Sequence, residues 1–268
     1  MVITFLSDFG VADDFVGTCH GVIKRIAPDV DVIDITHGIE AQSVLQGAIV
    51  LGSTLPYMPE GIHLAVVDPD VGTPRRALAL STGDGRILVG PDNGLLLPAA
   101  EQAGGIEAAH EITNRAYALE PVSATFHGRD IFAPAAAHLA KGLDPRELGA
   151  EIEPHALVRL EIPRAEIGER RVRAKCLYVD RFGNIQLNVQ AAELESLGIV
   201  PGRQIEVELA MDRFYALAAR TFAEARPGDI ILYEDAYRRI ALAISRGNAA
   251  ATFGVRAGTE VRLRVQPA

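Results

Sequence analysis

Tryptophan is absent from this chain, and aromatic residues make up only 6% of its 268 residues. A stacking platform for single-stranded nucleic acid, which relies on exposed aromatic faces, is therefore not expected. Cysteine is nearly absent too. Cys19 and Cys176 lie far apart without metal-ligand spacing, and they read as small buried hydrophobes of a reducing compartment. Positive charge is in deficit, with 26 Lys and Arg against 35 Asp and Glu and a net charge of −9. That balance disfavours nucleic acid and anionic membrane as partners. No apolar run is long enough to span a bilayer. No basic segment and apolar core precede Ser7, so a secretory leader is not expected and the reading is cytoplasmic. There is no glycine-rich dinucleotide fingerprint and no Walker-type lysine, which leaves a phosphate-cradling loop unsupported.

What the chain does have is apolar content, 49% of its residues, enough for one large domain or two modest ones. Strand-like and helix-like patterns alternate in the first half. Residues 2–6, 31–35 and 62–67 read as strands, and 15–27 and 41–55 as helices that stop at Pro28 and Pro56. This alternation predicts an α/β layer with a largely parallel central sheet. Ligands bind such sheets beyond the carboxyl ends of the strands, where Asp8 and Asp68 both fall. Residues 77–82 and 86–90 flank Gly83-Asp84-Gly85 as a hairpin. A helix follows over 131–140, with Pro134 tolerated in its first turn and Asp130 suited to its N-terminal dipole. Pro145, Pro154 and Pro163 punctuate a charged stretch over 142–170 that reads as a linker or boundary. Short period-2 runs at 172–179, 204–209, 230–233 and 260–265 then predict a small β-barrel or sandwich. The expected division is 1–160 and 161–268.

Two loops carry the chemistry-bearing residues. Asp68 and Arg75 sit seven apart in a segment bent by Pro69, Gly72 and Pro74, so the loop can fold back and join them. The pair is either an Arg-oriented carboxylate or a loop-closing salt bridge. His127 is followed by Gly128, which permits close approach, and its ordinary pKa suits a base near neutral pH. The other six histidines read as structural. Asp8, Asp13 and Asp14 cluster at a strand-to-helix entry. Asp13 and Asp14 are candidate helix caps, whereas Asp8 at the strand tip could bind a ribose diol or Mg²⁺. In the second half, Asp180-Arg181-Phe182-Gly183-Asn184 is a turn or a polar binding edge with an aromatic face. Ser245 to Ala250 is a loop whose small residues could admit a flat ring.

Taken in order, these segments resemble the S-adenosyl-L-methionine hydroxide adenosyltransferase family, the hydrolases related to the fluorinating and chlorinating enzymes. The resemblance rests on Ser7-Asp8-Phe9-Gly10, Asp34-Ile35-Thr36-His37, the Asp68 loop, Gly90 to Gly94, the His127 loop, Asp180 to Asn184 and Gly247-Asn248-Ala249. It implies an N-terminal α/β domain with a C-terminal β-barrel, assembled as a homotrimer with sites between subunits. It implies Asp68, Arg75 and His127 as the water-activating residues and Asp8 as the ribose carboxylate. Asn184, Asn248 and Ala249 would contact adenine, with Phe182 supplying the aromatic face, and Asp180 the methionine ammonium. The halogenase branch carries Tyr-Ser in place of His127-Gly128, Tyr in place of Asp68, and an extra loop with no counterpart here. Ala236 stands where relatives often have Ser, which removes one hydroxyl contact near the methionine end.

The reaction implied is attack of water-derived hydroxide on the ribose C5′ of S-adenosyl-L-methionine, giving adenosine and L-methionine. The sulfonium leaves as a neutral thioether, so no general acid is needed and no metal or other cofactor is implied. His127 is the expected base, with Asp68 orienting it or the water and Arg75 stabilising hydroxide. The competing readings are a non-catalytic S-adenosyl-L-methionine or adenosine sensor, a Mg²⁺-dependent phosphohydrolase, and a halogenase.

Overall fold

The computed structural model describes residues 1–210 and 212–265. The chain divides into two compact units, Met1–Glu161 and Ile162–Ala268.

The first unit contains β1 (Val2–Ser7), α1 (Phe15–Ile26), β2 (Asp31–Thr36), α2 (Val44–Thr54), β3 (Ile62–Val66), β4 (Ala77–Thr82), β5 (Ile87–Pro91), α3 (Leu97–Gln102), β6 (Ile106–Glu111) and α4 (Ala133–Ala140). Its six strands lie in the order β2-β1-β3-β5-β4-β6. β2, β1, β3 and β5 are parallel, and β4 runs antiparallel to both of its neighbours. Strand alternation splits the buried side chains between the two faces. Ile3 and Phe5 join Ile62, Leu64 and Val89 in a cluster with Ile23 of α1 and the alanines of α4. Leu6 joins Ala65 and Leu88 with Leu51 of α2 and Ala99 of α3. Both faces of the central strands are covered, which is why β1 and β3 read as largely apolar runs, whereas β2 at the sheet edge is partly exposed. From β1 the chain moves outward to β2 and then returns across β1 to β3. The carboxyl ends of β1 and β3 therefore flank the point where strand order reverses, the usual ligand crevice of such sheets.

Three local expectations differ. The helix expected over 41–55 begins at Val44, because Gln42 takes a left-handed φ of 66° and turns the chain first. Residues 142–161 are packed rather than linking: Leu148, Ile152 and Leu157 are buried, and Glu151 bridges to His110 of β6. The helix expected from 131 begins at Gly128 as a π-turn over Gly128–Phe132 that runs directly into α4. Pro134 thus sits inside a continuous helical run. It cannot donate to the carbonyl of Asp130, and the Leu119 N–H takes that acceptor at 2.8 Å.

His63 of β3 is fully buried, with Thr4 Oγ1 at 2.8 Å from its Nδ1. Burial, reinforced by Arg86, lowers its pKa to about 4. The unfolded chain therefore binds this proton more readily than the folded one. The stability contributed is complete above the ordinary pKa of 6.5 and is lost as pH falls toward 4. Urea denaturation should give about 2 kcal/mol less stability from this group at pH 5 than at pH 7.5. A His63→Gln variant should show a flatter pH dependence, and an unchanged slope would remove His63 as its source.

The second unit contains β7 (Glu166–Ile167), β8 (Arg171–Val179), β9 (Ile185–Gln190), α5 (Ala191–Glu195), β10 (Gln204–Leu209), β11 (Asp212–Ala218), β12 (Ile230–Glu234), β13 (Arg239–Ile244), α6 (Ala249–Phe253) and β14 (Glu260–Arg264). The strands run β14-β10-β11-β12-β13-β9-β8, and β14 also pairs with β8, closing a seven-stranded barrel to which β7 is appended. The β11–β12 pairing is parallel and the others are antiparallel. Alternate residues point inward: Val172, Ala174 and Cys176 from β8 meet Val261 and Leu263 from β14. The barrel, rather than a sandwich, is what leaves this small sheet without open central edges.

Candidate active site

Asp68 leaves the end of β3 after Val67 and enters a loop of nested turns. The Val71 N–H donates to the Asp68 carbonyl at 3.3 Å, and the Thr73 N–H and hydroxyl donate to the Asp70 carbonyl at 3.1 and 2.7 Å. Gly72 has a φ of 82°, and a Cβ there would run into the Ala124 carbonyl. Only glycine lets the Asp68 loop lie this close to the segment leading to His127.

The fold-back places three side chains in one line. Arg75 Nε donates to both oxygens of Asp68 at 3.0 Å, and Nη2 donates to Oδ2 at 2.5 Å. The same Nη2 lies 2.7 Å from His127 Nδ1. The pair is deeply enclosed, with Arg75 at 8% and Asp68 at 6% side-chain exposure. Beneath it, the Arg75 guanidinium lies 5.1 Å from the Phe132 ring centroid. The salt bridge and the oriented carboxylate are therefore the same feature, since the cation that closes the loop also reaches the histidine.

This geometry assigns the imidazole proton. A guanidinium can only donate, so Nδ1 accepts, and the neutral ring carries its hydrogen on Nε2. Burial, then the Arg75 charge, lowers the His127 pKa despite the opposing pull of Asp68 and Asp130. A neutral imidazole with Nδ1 engaged and Nε2 protonated offers a hydrogen-bond donor. It is poorly placed to take a proton, and this differs from the expectation of His127 as base.

The segment carrying His127 is anchored by Asp130. Its carboxylate accepts from Arg129 Nε at 2.6 Å, from Arg129 Nη2 at 2.9 Å and from the Ser123 N–H at 2.8 Å, and it is buried. Burial pushes this carboxyl up, but the bonds from Arg129 and Ser123 outweigh it and hold it below the ordinary range. Asp130 therefore ties down a loop, a larger role than the helix-dipole partner expected from sequence. Phe9, Phe15 and Phe126 pack edge-on or tilted at 5.1–6.0 Å beside Gly128, giving an apolar wall next to the histidine.

Asp8, at the end of β1, is held separately: its Oδ2 accepts the Gln42 N–H at 2.8 Å. Asp14 occupies the N-cap position of α1, but its carboxylate takes the Thr18 hydroxyl at 3.0 Å instead of a backbone amide.

In the second unit, Asp180, Phe182, Asn184, Asn248 and Ala249 come together at the β8–β9 turn and the start of α6. Asp180 Oδ1 accepts the Phe182 and Asn184 N–H groups at 2.8 and 2.9 Å, and Oδ2 accepts Asn184 Nδ2 at 2.7 Å. Asn248 caps α6 through the Ala251 N–H at 2.7 Å. The Ala250 N–H donates to the Gly183 carbonyl at 2.9 Å, joining the two loops. Ala249 is buried, while Phe182 is 72% exposed and presents an uncovered aromatic face. Ala236 lies in the loop between β12 and β13, lining an open cavity with Tyr233 and Arg238.

Residues 3–149 match the S-adenosyl-L-methionine hydroxide adenosyltransferase N-terminal domain, and residues 174–262 match the C-terminal domain of the same family. The chain belongs to this family. It is 47% identical over 261 residues to an (R)-S-adenosyl-L-methionine hydrolase of Salinispora tropica, covering 97% of each chain. It is 39% identical to a protein of the same name from Thermus thermophilus, over 97% of this chain and 98% of that one. A fluorinase of Nocardia brasiliensis is 28% identical over 98% of this chain and 97% of its own. Among solved structures, an uncharacterized conserved protein of Thermotoga maritima superposes with a TM-score of 0.91 at 32% identity, covering 98% of this chain and all of that one. Among the described residues, no helix is long and apolar enough to cross a membrane.

Arg129, Phe132 and the backbone amide of Gln42 carry geometry at the two loops that residue type does not signal, and the burial of Asp130 gives it a role beyond its helix-dipole position. The Gly128-Arg129-Asp130 run was visible, but adjacent opposite charges signal nothing until the fold buries one of them. Gln42 acts through its backbone amide, which leaves no trace in residue type.

Proposed function

We propose that this chain hydrolyses S-adenosyl-L-methionine to adenosine and L-methionine, with Asp68, Arg75 and His127 holding the attacking water. The observation that carries the reading is Arg75 bridging Asp68 and His127 through one guanidinium nitrogen. Asp68 neutralises Arg75, so the cluster has no net charge of its own while His127 is neutral. The sulfonium of the substrate then supplies the missing positive charge, and hydroxide is favoured once substrate is bound. His127 Nε2–H donates to the nucleophilic oxygen and fixes its position. The oxygen forms its bond to C5′ as the C5′–S bond breaks. The electron pair goes to sulfur, methionine leaves as a neutral thioether, and the water proton passes to solvent.

On this reading Asp8 accepts from the ribose hydroxyls and Phe182 stacks on the adenine. Asn184, Asn248 and Ala249 contact its edge, and Asp180 faces the methionine ammonium. A complete site draws these second-unit residues from a neighbouring copy in a homotrimer, which sedimentation of the purified protein in the cytoplasmic range of pH and salt tests directly. The enclosed Asp68–Arg75 pair and the exposed Phe182 support this assignment.

The deciding experiment is incubation with S-adenosyl-L-methionine in ¹⁸O-water. The expected products are methionine and adenosine labelled at the 5′ oxygen. Unlabelled adenosine, turnover that requires halide, or tight binding without turnover would each overturn the hydrolase reading.

A further inference from the structure

His20, Asp34 and His37 converge at the edge of the parallel sheet, outside the Asp68–Arg75–His127 cluster. His20 lies in α1, Asp34 in β2, and His37 just beyond β2. His20 Nε2 is 2.8 Å and His37 Nε2 is 3.0 Å from the same atom, Asp34 Oδ1. All three donor atoms lie within 4.8 Å of one another. Ligand atoms about 2.0–2.2 Å from a common ion, at tetrahedral or right-angle geometry, stand roughly 2.9–3.5 Å apart. The two imidazole-to-carboxylate distances are already near that spacing.

His37 supplies an independent observation. Its side chain is 4% exposed, and Nε2 is buried without an aligned hydrogen bond. The distance to Asp34 would suit a hydrogen bond, but the direction does not. Nδ1, on the other side of the ring, lies 2.7 Å from Ser7 Oγ. With the ring proton on Nδ1, His37 donates to Ser7, and the Nε2 lone pair points past Asp34 Oδ1, as it would toward an ion set off the line between the two atoms. A histidine fixed through one nitrogen, with the other buried and unpartnered beside a carboxylate, is the arrangement of a metal ligand backed by an outer hydrogen bond.

We propose that His20 Nε2, Asp34 Oδ1 and His37 Nε2 bind a divalent first-row transition ion of the zinc class. Two imidazoles and one carboxylate suit such an ion and do not suit Mg²⁺ or Ca²⁺, which prefer oxygen. Asp34 is 40% exposed at its side chain, leaving a path for entry and for solvent ligands. The ion would tie α1 to the end of β2. The carbonyl of His37 accepts the Gly10 N–H at 2.7 Å, and Gln42 in the following segment holds Asp8. The ion therefore steadies the segment that orients Asp8. Binding itself is independent of the hydrolase reading, and only this coupling to Asp8 rests on it.

The test is calorimetric titration of the chelator-stripped full chain with Zn²⁺, beside Co²⁺ titration followed by visible absorption. We expect one saturable equivalent per chain, a Co²⁺ spectrum of nitrogen and oxygen ligation that Zn²⁺ displaces, and no heat from Mg²⁺. His20→Gln and Asp34→Asn, both at partly exposed positions, should each weaken Zn²⁺ binding by about 10–100-fold or more. The absence of a saturable equivalent in the unaltered protein overturns the proposal, as does unchanged affinity in the His20→Gln/Asp34→Asn double variant. The Co²⁺ spectrum needs no variant, so a spectrum without imidazole ligation overturns it even where a variant fails to fold.

Discussion

Asp68→Asn should lower turnover with S-adenosyl-L-methionine by roughly 10²–10³-fold while leaving KM within a few-fold of its original value. The substitution keeps the shape of the side chain and removes its charge. Arg75, itself 8% exposed, then holds a cation with no counter-charge nearby. The cluster gains net positive charge, and the charge balance that favours hydroxide once the sulfonium is bound is lost. Arg75 also loses one of the two oxygens that aim its Nη2 at His127, so the imidazole is held less firmly in one tautomer. Adenosine release followed by chromatography gives kcat and KM, and thermal denaturation of the same samples separates a catalytic from a folding loss. If the Asp68–Arg75 pair merely closes a loop, activity should fall only in step with stability. Full activity in Asp68→Asn would refute the assigned role.

Asp130→Ala should destabilise the protein by about 1–3 kcal/mol in urea denaturation, since the Ser123 amide loses its acceptor while the partly exposed Arg129 can turn to solvent. Three donors end on this carboxylate, one of them the Ser123 amide, and all three lose their acceptor together. Asp130→Asn should cost less, because the amide oxygen still accepts while the charge is lost. Both variants loosen the segment before the π-turn, so His127 loses its fixed approach to Arg75. Activity in Asp130→Asn should therefore fall more than its stability does. A loss below about 1 kcal/mol in Asp130→Ala would place Asp130 among surface ion pairs instead.

The sequence made some of this legible for definite reasons. Central strands covered on both faces gave apolar runs, so β1 and β3 could be read within a residue or so of their ends, and β2 was legible from its β-branched residues between Asp31 and Thr36. Proline stopped α1 and α2 where its missing amide and ring demand it. The Asp68–Arg75 pairing was visible as a possibility, since Pro69, Gly72 and Pro74 bend the chain between them. What could not be read were features that only burial creates. α3 and β6 carry short, alanine-rich patterns with little periodicity. The π-turn at Gly128 depends on Leu119, a residue distant in sequence, satisfying the Asp130 carbonyl. The direction of the His127 proton depends on Arg75 meeting Nδ1 rather than Nε2, which no residue pattern encodes. On the proposed reading, that one contact makes His127 a hydrogen-bond donor to the nucleophile.

The closed barrel has a consequence for the order in which the chain can mature on the ribosome. Its ring is completed by β14, which lies between β10 and β8. Strands β8 and β10 are therefore made long before the segment that joins them, and each must keep an unpaired edge until residues 260–264 emerge. The six-stranded sheet of the first unit uses only residues 2–111 and can pair fully much earlier. Vectorial synthesis thus leaves the second unit as the part that waits, with two exposed strand edges for a chaperone to shield or an aggregate to capture.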